Sequence, residues 1–315
     1  MRTGTGRSLR DSRAPDPVDS AMPLSKPSGS RLGIIGGSGL YEMDGLTDVR
    51  RVRLSTPFGE PSDELVLAEL DGLGVVFLPR HGRGHRISPT DVNYRANIDA
   101  LKRAGVTDVL ALSAVGSLRE DLPPGTFVIP DQFIDRTFAR AKSFFGTGLV
   151  AHVSLARPVC ERLGDLVEAA AGQAGVPCVR GGTHLVMEGP QFSTRAESEL
   201  YRSWHCAVIG MTNMPEAKLA REAELCYAAV AMVTDYDCWH PDHDAVTVTE
   251  VLATMAGNAT AARRLVRGVA SALRPRPVPC PRACDRALDS ALVTAPEARD
   301  PALLARLDAV AGRVL

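Results

Sequence analysis

The chain has 315 residues, 45% of them hydrophobic, and a net charge of −1. That length holds one large α/β domain or two small ones, with ample apolar content for a core. Near-neutral charge gives no general pull toward nucleic acid or an anionic membrane surface, and no apolar run reaches membrane-spanning length.

Residues 1–30 are rich in Arg, Ser, Gly and Pro and lack periodic apolar positions. They read as a disordered extension. No apolar signal region follows the basic start, so a cytoplasmic location is expected. Leu32-Gly-Ile-Ile-Gly-Gly-Ser-Gly39 then runs from a short apolar strand into a glycine-rich turn bearing Ser38. It lacks the three-glycine dinucleotide spacing, which argues against NAD. Gly74-Val-Val-Phe-Leu-Pro-Arg-His-Gly82 delivers Arg80 and His81. Residues 93–104 read as a helix with Ile98 and Leu101 inward. Val109-Leu-Ala-Leu-Ser-Ala-Val-Gly-Ser117 delivers Ser113, and residues 155–174 show helical spacing.

Ala207-Val-Ile-Gly-Met-Thr-Asn213 delivers Met211 and Thr212, with Pro215 at a first-turn position of the next helix. Val230-Ala-Met-Val-Thr-Asp-Tyr-Asp-Cys-Trp239 ends in Asp235 and Asp237. A long helix spans residues 247–273, and a shorter helical segment runs near 301–315. Strands alternating with helices argue α/β. The expected organisation is an extension (1–30), one enzyme domain (31–295) and a helical tail (296–315).

Apolar strands that each end in small or polar residues point to one crevice along the carboxyl edge of a sheet, where open α/β sheets bind ligands. Ser38, Arg80, His81, Ser113 and Thr212 are donors suited to an inorganic phosphate. Asp235 and Asp237 are acceptors or acids, suited to a group rich in N–H donors such as an aminopurine. Taken alone, the two acids are equally compatible with a helix cap or a solvated turn. An anion pocket and an acid pair in one cleft imply phosphate attacking a substrate whose leaving group needs protonation.

The seven cysteines are scattered and odd in number, which argues against a disulfide framework. Zinc at Cys280 and Cys284 would need two more ligands, with His240 and His243 the candidates near them in sequence. A regulatory disulfide between Cys280 and Cys284 is the other alternative, and plain core packing, with no metal, is the expectation. His85 and His184 read as hydrogen-bonded structural histidines. His205 reads as a surface residue, and Arg119, Arg195 and Glu197 as ion-pair partners.

The segments Gly33-Ile-Ile-Gly-Gly-Ser-Gly-Leu40, Thr56-Pro-Phe-Gly-Glu-Pro-Ser-Asp63, Pro79-Arg-His-Gly-Arg83, Asn93-Tyr-Arg-Ala-Asn97, Gly116-Ser-Leu-Arg-Glu120, Asp131-Gln-Phe-Ile-Asp-Arg-Thr137, Glu188-Gly-Pro-Gln-Phe-Ser193, Met211-Thr-Asn-Met-Pro-Glu216 and Thr234-Asp-Tyr-Asp-Cys-Trp239 carry a resemblance. In that order they resemble the trimeric purine nucleoside phosphorylases, most closely the 5′-methylthioadenosine phosphorylases. The resemblance implies a three-layer αβα fold with a central twisted mixed sheet, phosphorylase/hydrolase-like. It implies a pentosyltransferase of purine and methionine salvage that needs no cofactor beyond phosphate as co-substrate. Its partners would be a small nucleoside, phosphate and copies of itself in a homotrimer.

By the same resemblance, Ser38, Arg80, His81, Ser113, Ala114 and Thr212 bind phosphate. Met211 lies under the ribose, Phe192 packs on the purine and Ser193 reaches the base. Asp235 and Asp237 read N7 and the 6-amino group, with Asp235 the acid at N7. His152 comes from a neighbouring subunit to the 5′ end. Val248, Val251 and Leu252 line an apolar slot for a 5′-methylthio group. Glu188 supports the pocket without being catalytic. Alternatives are the same chemistry on 6-oxopurine nucleosides or 5′-methylthioinosine, which two acids disfavour, and a catalytically silent nucleotide binder.

Overall fold

The computed structural model of the protein describes residues 29–241, 248–274 and 276–315. All but the last two residues of the expected extension lie outside them. The sheet has eleven strands. They are β1 (Arg31–Gly36), β2 (Leu46–Val52), β3 (Leu65–Leu70), β4 (Leu73–Pro79), β5 (Asp108–Ser117), β6 (Phe127–Ile129), β7 (Gln132–Asp135), β8 (Cys178–Arg180), β9 (Thr183–Val186), β10 (Cys206–Gly210) and β11 (Cys226–Asp235). The helices are α1 (Tyr94–Arg103), α2 (Glu161–Gln173), α3 (Arg195–Ser203), α4 (Asn213–Glu222), α5 (Val248–Ala272), α6 (Pro301–Arg306) and α7 (Asp308–Ala311).

The path β2-β3-β4-β1-β5-β10-β9-β7 is mixed, and β11, β6 and β8 branch from it at β5. β5 pairs in parallel with β1 and β11, while Gly116 and Ser117 at its end pair antiparallel with β10. β2, β3 and β4 form an antiparallel edge. The sequence reading passed over β2, whose Asp48-Val-Arg-Arg-Val52 run is largely exposed and polar.

The central strands are apolar on both faces because helices cover both. Alternate side chains go to opposite cores. Val109, Ala111, Tyr227 and Ala229 pack with α1 and α4, whereas Leu110, Leu112, Ala228 and Val230 pack with α2 and α5. The fold is therefore helix, sheet and helix in three layers.

Sequence and structure agree closely on α1, where the Asn93 side chain caps the Ala96 amide at 3.1 Å. α2 starts six residues later than its spacing suggests, at Glu161 instead of residue 155. Pro158 lacks an N–H and disfavours helix before it, and the Cys160 amide is taken by the Tyr227 carbonyl of β11. The tail past residue 296 forms two short helices, of which α7 packs on α1. Among the described residues, no helix is long and apolar enough to cross a membrane.

Candidate active site

Arg80 follows β4 directly and is 2% exposed. It reaches that depth because Glu216 pairs with it, Nε to Oε2 at 2.9 Å and Nη2 to Oε1 at 3.1 Å. Its Nη1 donates to the Leu112 carbonyl of β5 at 2.9 Å. Burial alone would lower the guanidinium pKa, but Glu216 outweighs it and the net shift is upward. Five donors minus these three bonds leave two N–H groups for a ligand.

A donor chain reaches the same carboxylate. The Tyr227 hydroxyl donates to Glu216 at 2.8 Å and accepts from Asn213 Nδ2 at 2.8 Å. Asn213 Oδ1 therefore faces Ser113, whose hydroxyl donates to it at 2.9 Å. Because the ion-paired carboxylate only accepts, the polarity is fixed along the whole chain. Ser113 thus spends its proton inward and offers a ligand its lone pairs, contrary to its reading as a simple donor.

His81 Nδ1 lies 2.8 Å from the Ile87 carbonyl, and its ring stacks on His85 at 4.2 Å. Burial, then the Arg80 charge, pushes its pKa down to about 4. The ring is neutral at pH 7, Nδ1 carries the proton, and Nε2 is an acceptor. Thr212 is buried at the N-terminus of α4, and its hydroxyl makes no capping bond to that helix. Ala114 is half-buried in β5, beside Ser113. The backbone of Ser38 sits in a 3-10 turn over Ser38–Tyr41, next to Arg80, whose amide donates to the Gly36 carbonyl at 3.0 Å.

The acid pair lies where β11 leaves the sheet. Asp235 Oδ2 accepts from the Thr234 hydroxyl at 2.7 Å and Oδ1 from the Asp237 amide at 2.8 Å. Asp237 has φ 53°, in the left-handed region that Asp tolerates better than most residues. Trp239 anchors the turn by donating to the Ser117 carbonyl at 2.8 Å, and the Arg202 guanidinium lies 3.6 Å from its ring centroid.

Both acids lie against Gly116, where a Cβ would stand 2.9 Å from Asp235 Oδ1 and 3.2 Å from Asp237 Cβ. Burial, and secondarily the Asp235 charge, pushes the Asp237 carboxyl above its ordinary value, against the pull of Ser198. The Ser198 hydroxyl is near enough to act electrostatically, yet neither it nor Asp237 Oδ2 makes a hydrogen bond.

A second buried ion pair supports the Met211 segment. Arg140 donates to Glu188 Oε1 at 2.9 Å and to the carbonyls of Met211 and Met214 at 2.5 and 2.8 Å. Burial would raise the Glu188 pKa. The Thr90 hydroxyl, the Phe138 and Ala139 amides and Arg140 prevail and hold it down at about 2. Arg140 was not singled out in the sequence, and neither were Asn213, Glu216 and Tyr227. The motif around Met211 contains two of these, but nothing in it reveals their partners.

The remaining candidates lie toward the surface. Phe192 is 44% exposed, while Ser193 is half-buried and takes the Cys238 thiol on its carbonyl at 3.3 Å. Val248 and Leu252 are each 63% exposed on the first turns of α5, with Val251 half-buried between them. His152 is exposed, and its amide donates to the Ala291 carbonyl at 2.8 Å. His184 departs from expectation, because both ring nitrogens are buried without hydrogen bonds. Burial drives its pKa down to about 3, so the neutral ring packs as an apolar group, tilted on Phe133 at 5.5 Å.

The phosphorylase superfamily pattern matches residues 31–271. The chain belongs to the phosphorylase superfamily. This phosphorylase is 63% identical over 284 residues to the S-methyl-5′-thioadenosine phosphorylase of Rhodospirillum rubrum, covering 90% of this chain and 97% of that one. It is 65% identical to the protein of that name from Cereibacter sphaeroides, covering 90% and 98%. A crystal structure of methylthioadenosine phosphorylase from an Antarctic soil metagenomic library superposes with TM-score 0.84 at 47% identity, covering 90% of this chain and 99% of that one. The Schistosoma mansoni methylthioadenosine phosphorylase in complex with adenine superposes with TM-score 0.73 at 39% identity, covering 78% and 91%.

Proposed function

We propose that the chain cleaves 5′-methylthioadenosine with inorganic phosphate, giving adenine and 5-methylthioribose 1-phosphate. One observation carries the reading. Strand β5 holds Ser113 against the Asn213–Tyr227–Glu216–Arg80 network and Gly116 against both carboxylates. An anion pocket and an acid pair are thus three residues apart on one strand. Relatives at 63% and 65% identity bear the name of this activity.

Phosphate binds through the two remaining Arg80 N–H groups, with Thr212 and the Ser38 turn beside it. Ser113 and neutral His81 both present acceptors, so the bound species is a protonated phosphate whose P–OH donates to one of them. Fixing phosphate below C1′ supplies much of the acceleration. The purine is a poor leaving group until N7 is protonated. Burial raises the proton affinity of Asp237 within the pair, and Asp235 is the member set toward N7. As the bond loosens, phosphate stabilises the oxocarbenium charge and captures C1′ with inversion. No redox or metal chemistry is required by these steps.

Two carboxylates favour the 6-amino group, a donor, over the carbonyl of a 6-oxopurine, because a mismatch leaves buried polar groups unpaired. Val248, Val251 and Leu252 line the 5′ slot, where a thioether prefers an apolar wall. Exposed His152 and Phe138, the latter 82% exposed, suit contact with a second copy, and the assembly is a trimer. Salvage of purine and methylthioribose in the cytoplasm is the corresponding role. The test is adenine release from methylthioadenosine with and without phosphate. Release should require phosphate and yield a sugar 1-phosphate, while equal release in phosphate-free buffer would make the protein a hydrolase.

A further inference from the structure

Four cysteines outside the active site converge in the core. Cys160 is the N-cap of α2, Cys226 opens β11, and Cys280 and Cys284 belong to the segment after α5. Their sulfurs all lie within 4.8 Å of one another, and all four residues are buried. The Cys160 and Cys280 sulfurs are 3.8 Å apart. A disulfide needs about 2.05 Å. A tetrahedral zinc with Zn–S bonds of about 2.3 Å sets neighbouring sulfurs about 3.8 Å apart. Cys160 and Cys226 are placed to be the two further ligands that Cys280 and Cys284 would need. His240 bonds Glu120 instead, and His243 lies outside the described residues.

The local chain is shaped to present the sulfurs together. In Pro279-Cys-Pro-Arg-Ala-Cys284, Ala283 adopts φ 52°, a left-handed conformation costly for alanine. The turn closes with the Ala283 amide donating to the Cys280 carbonyl at 2.8 Å. Asp285 accepts the Cys280 amide at 2.9 Å. That folding returns Cys284 to Cys280 across three residues, a spacing common in structural zinc sites.

The surroundings also suit a metal thiolate. Arg276 Nη2 donates to the Cys226 sulfur at 3.5 Å, and Arg162 interacts with Cys226 and Cys160. Asp108 holds both arginines in place, pairing with Arg162 and with Arg276 Nε at 2.8 Å. A zinc ion with four thiolates carries a net negative charge that the two guanidiniums offset in part, since both also pair with Asp108, and outer groups of this kind orient ligands and tune the metal.

We propose that Cys160, Cys226, Cys280 and Cys284 form a structural tetrathiolate site for a soft divalent metal, zinc by preference. Binding replaces thiol protons with metal–sulfur bonds and releases those protons, with no change of oxidation state. The site clasps the segment after α5 onto the sheet. That segment runs on to Ala291 and Leu292, which pair with the loop segment Ala151–His152. The metal therefore holds a surface segment in register without entering the reaction.

The test is metal analysis of the full chain purified without added metal or chelator. About one zinc per chain is expected, released by a mercurial thiol reagent. Cobalt exchange should give the intense visible bands of a tetrahedral thiolate site. Cys226→Ser and Cys284→Ser should lower bound metal at least about tenfold, while Cys178→Ser should not. Should the core variants fail to fold, intact mass and thiol counting on the natural chain still decide. Mass loss showing disulfides among these cysteines would overturn the proposal. So would seven freely titrating thiols, the full cysteine count, in unfolded, metal-free protein that takes up neither zinc nor cobalt on refolding.

Discussion

Glu216→Gln tests whether the buried ion pair is the structural base of the anion pocket. In the native protein Oε1 accepts from both Tyr227 and Arg80 Nη2, and Oε2 accepts Arg80 Nε at 2.9 Å. The amide can keep the first set through its oxygen. Its NH₂ then faces Arg80 Nε–H, donor against donor, and the 2% exposed guanidinium loses its counter-charge. Removing one partner of a buried pair costs about 3–5 kcal/mol. At roughly 2–3 °C per kcal/mol for a domain of this size, the Tm should fall by about 6–15 °C. Phosphate would restore a negative charge beside Arg80, so the phosphate-induced rise in Tm should be larger in the variant than in the native protein. Differential scanning calorimetry across a phosphate titration reads both quantities. A Tm within about 2 °C of native, with the same phosphate response, would refute the idea that Glu216 neutralises Arg80.

Asp237→Asn removes a buried carboxyl whose folded pKa lies above its unfolded value. Such a group favours the fold fully below its unfolded pKa and loses that contribution as pH rises through the folded one. The variant should therefore be at least as stable as native at pH 7, yet slower, with a narrower preference for methylthioadenosine over methylthioinosine. Unchanged kcat/KM ratios in a competition assay would show that Asp237 does not read the base. Gly116→Ala drives a methyl against Asp235 and should cut nucleoside kcat/KM by about 10- to 100-fold with little change in the KM for phosphate. Loss confined to phosphate would contradict that placement of the acids. Burial raises Glu222 from 4.5 to about 7, so its stabilising contribution is present below about pH 4.5 and lost as pH rises through about 7. Glu222→Gln should flatten the decline in Tm between about pH 5 and pH 8, and a parallel decline in both proteins would rule this out. Sedimentation should give a trimer, and mixing His152→Ala with Arg80→Ala chains should restore part of the lost activity. A fully active monomer would end that reading.

The central strands were legible because each is an apolar run stopped by small or polar residues, a local pattern. α1 and α5 were legible for the same reason, through the helical spacing of their apolar positions. What escaped was non-local. Glu216 meets Arg80 across 136 positions, and Cys160 meets Cys280 across 120. No window of sequence contains either pair, so Glu216 went unremarked and the cysteines read as scattered core residues. β2 was missed because its residues are polar, as an edge strand allows. The start of α2 was misplaced because helical spacing continues through Pro158, and only the backbone bond from Cys160 to β11 shows where the coil ends.

Strand β5 also acts as a measuring rod. From Ser113 to Gly116 the backbone advances about 10 Å at roughly 3.3 Å per residue. That interval separates the anion end of the crevice from the proton-delivering end, and it is set by main-chain geometry alone. Side chains at either end can drift or be exchanged without altering it. β11 flanks β5 from Asp108 to Gly116, β1 pairs with it from Asp108 to Ala111, and β10 catches its tip. The rod is clamped at both ends and cannot slide relative to its neighbours without breaking ladders on either side. Changes in substrate choice are thereby confined to what hangs from the rod, while the gap between attacking and departing groups stays constant.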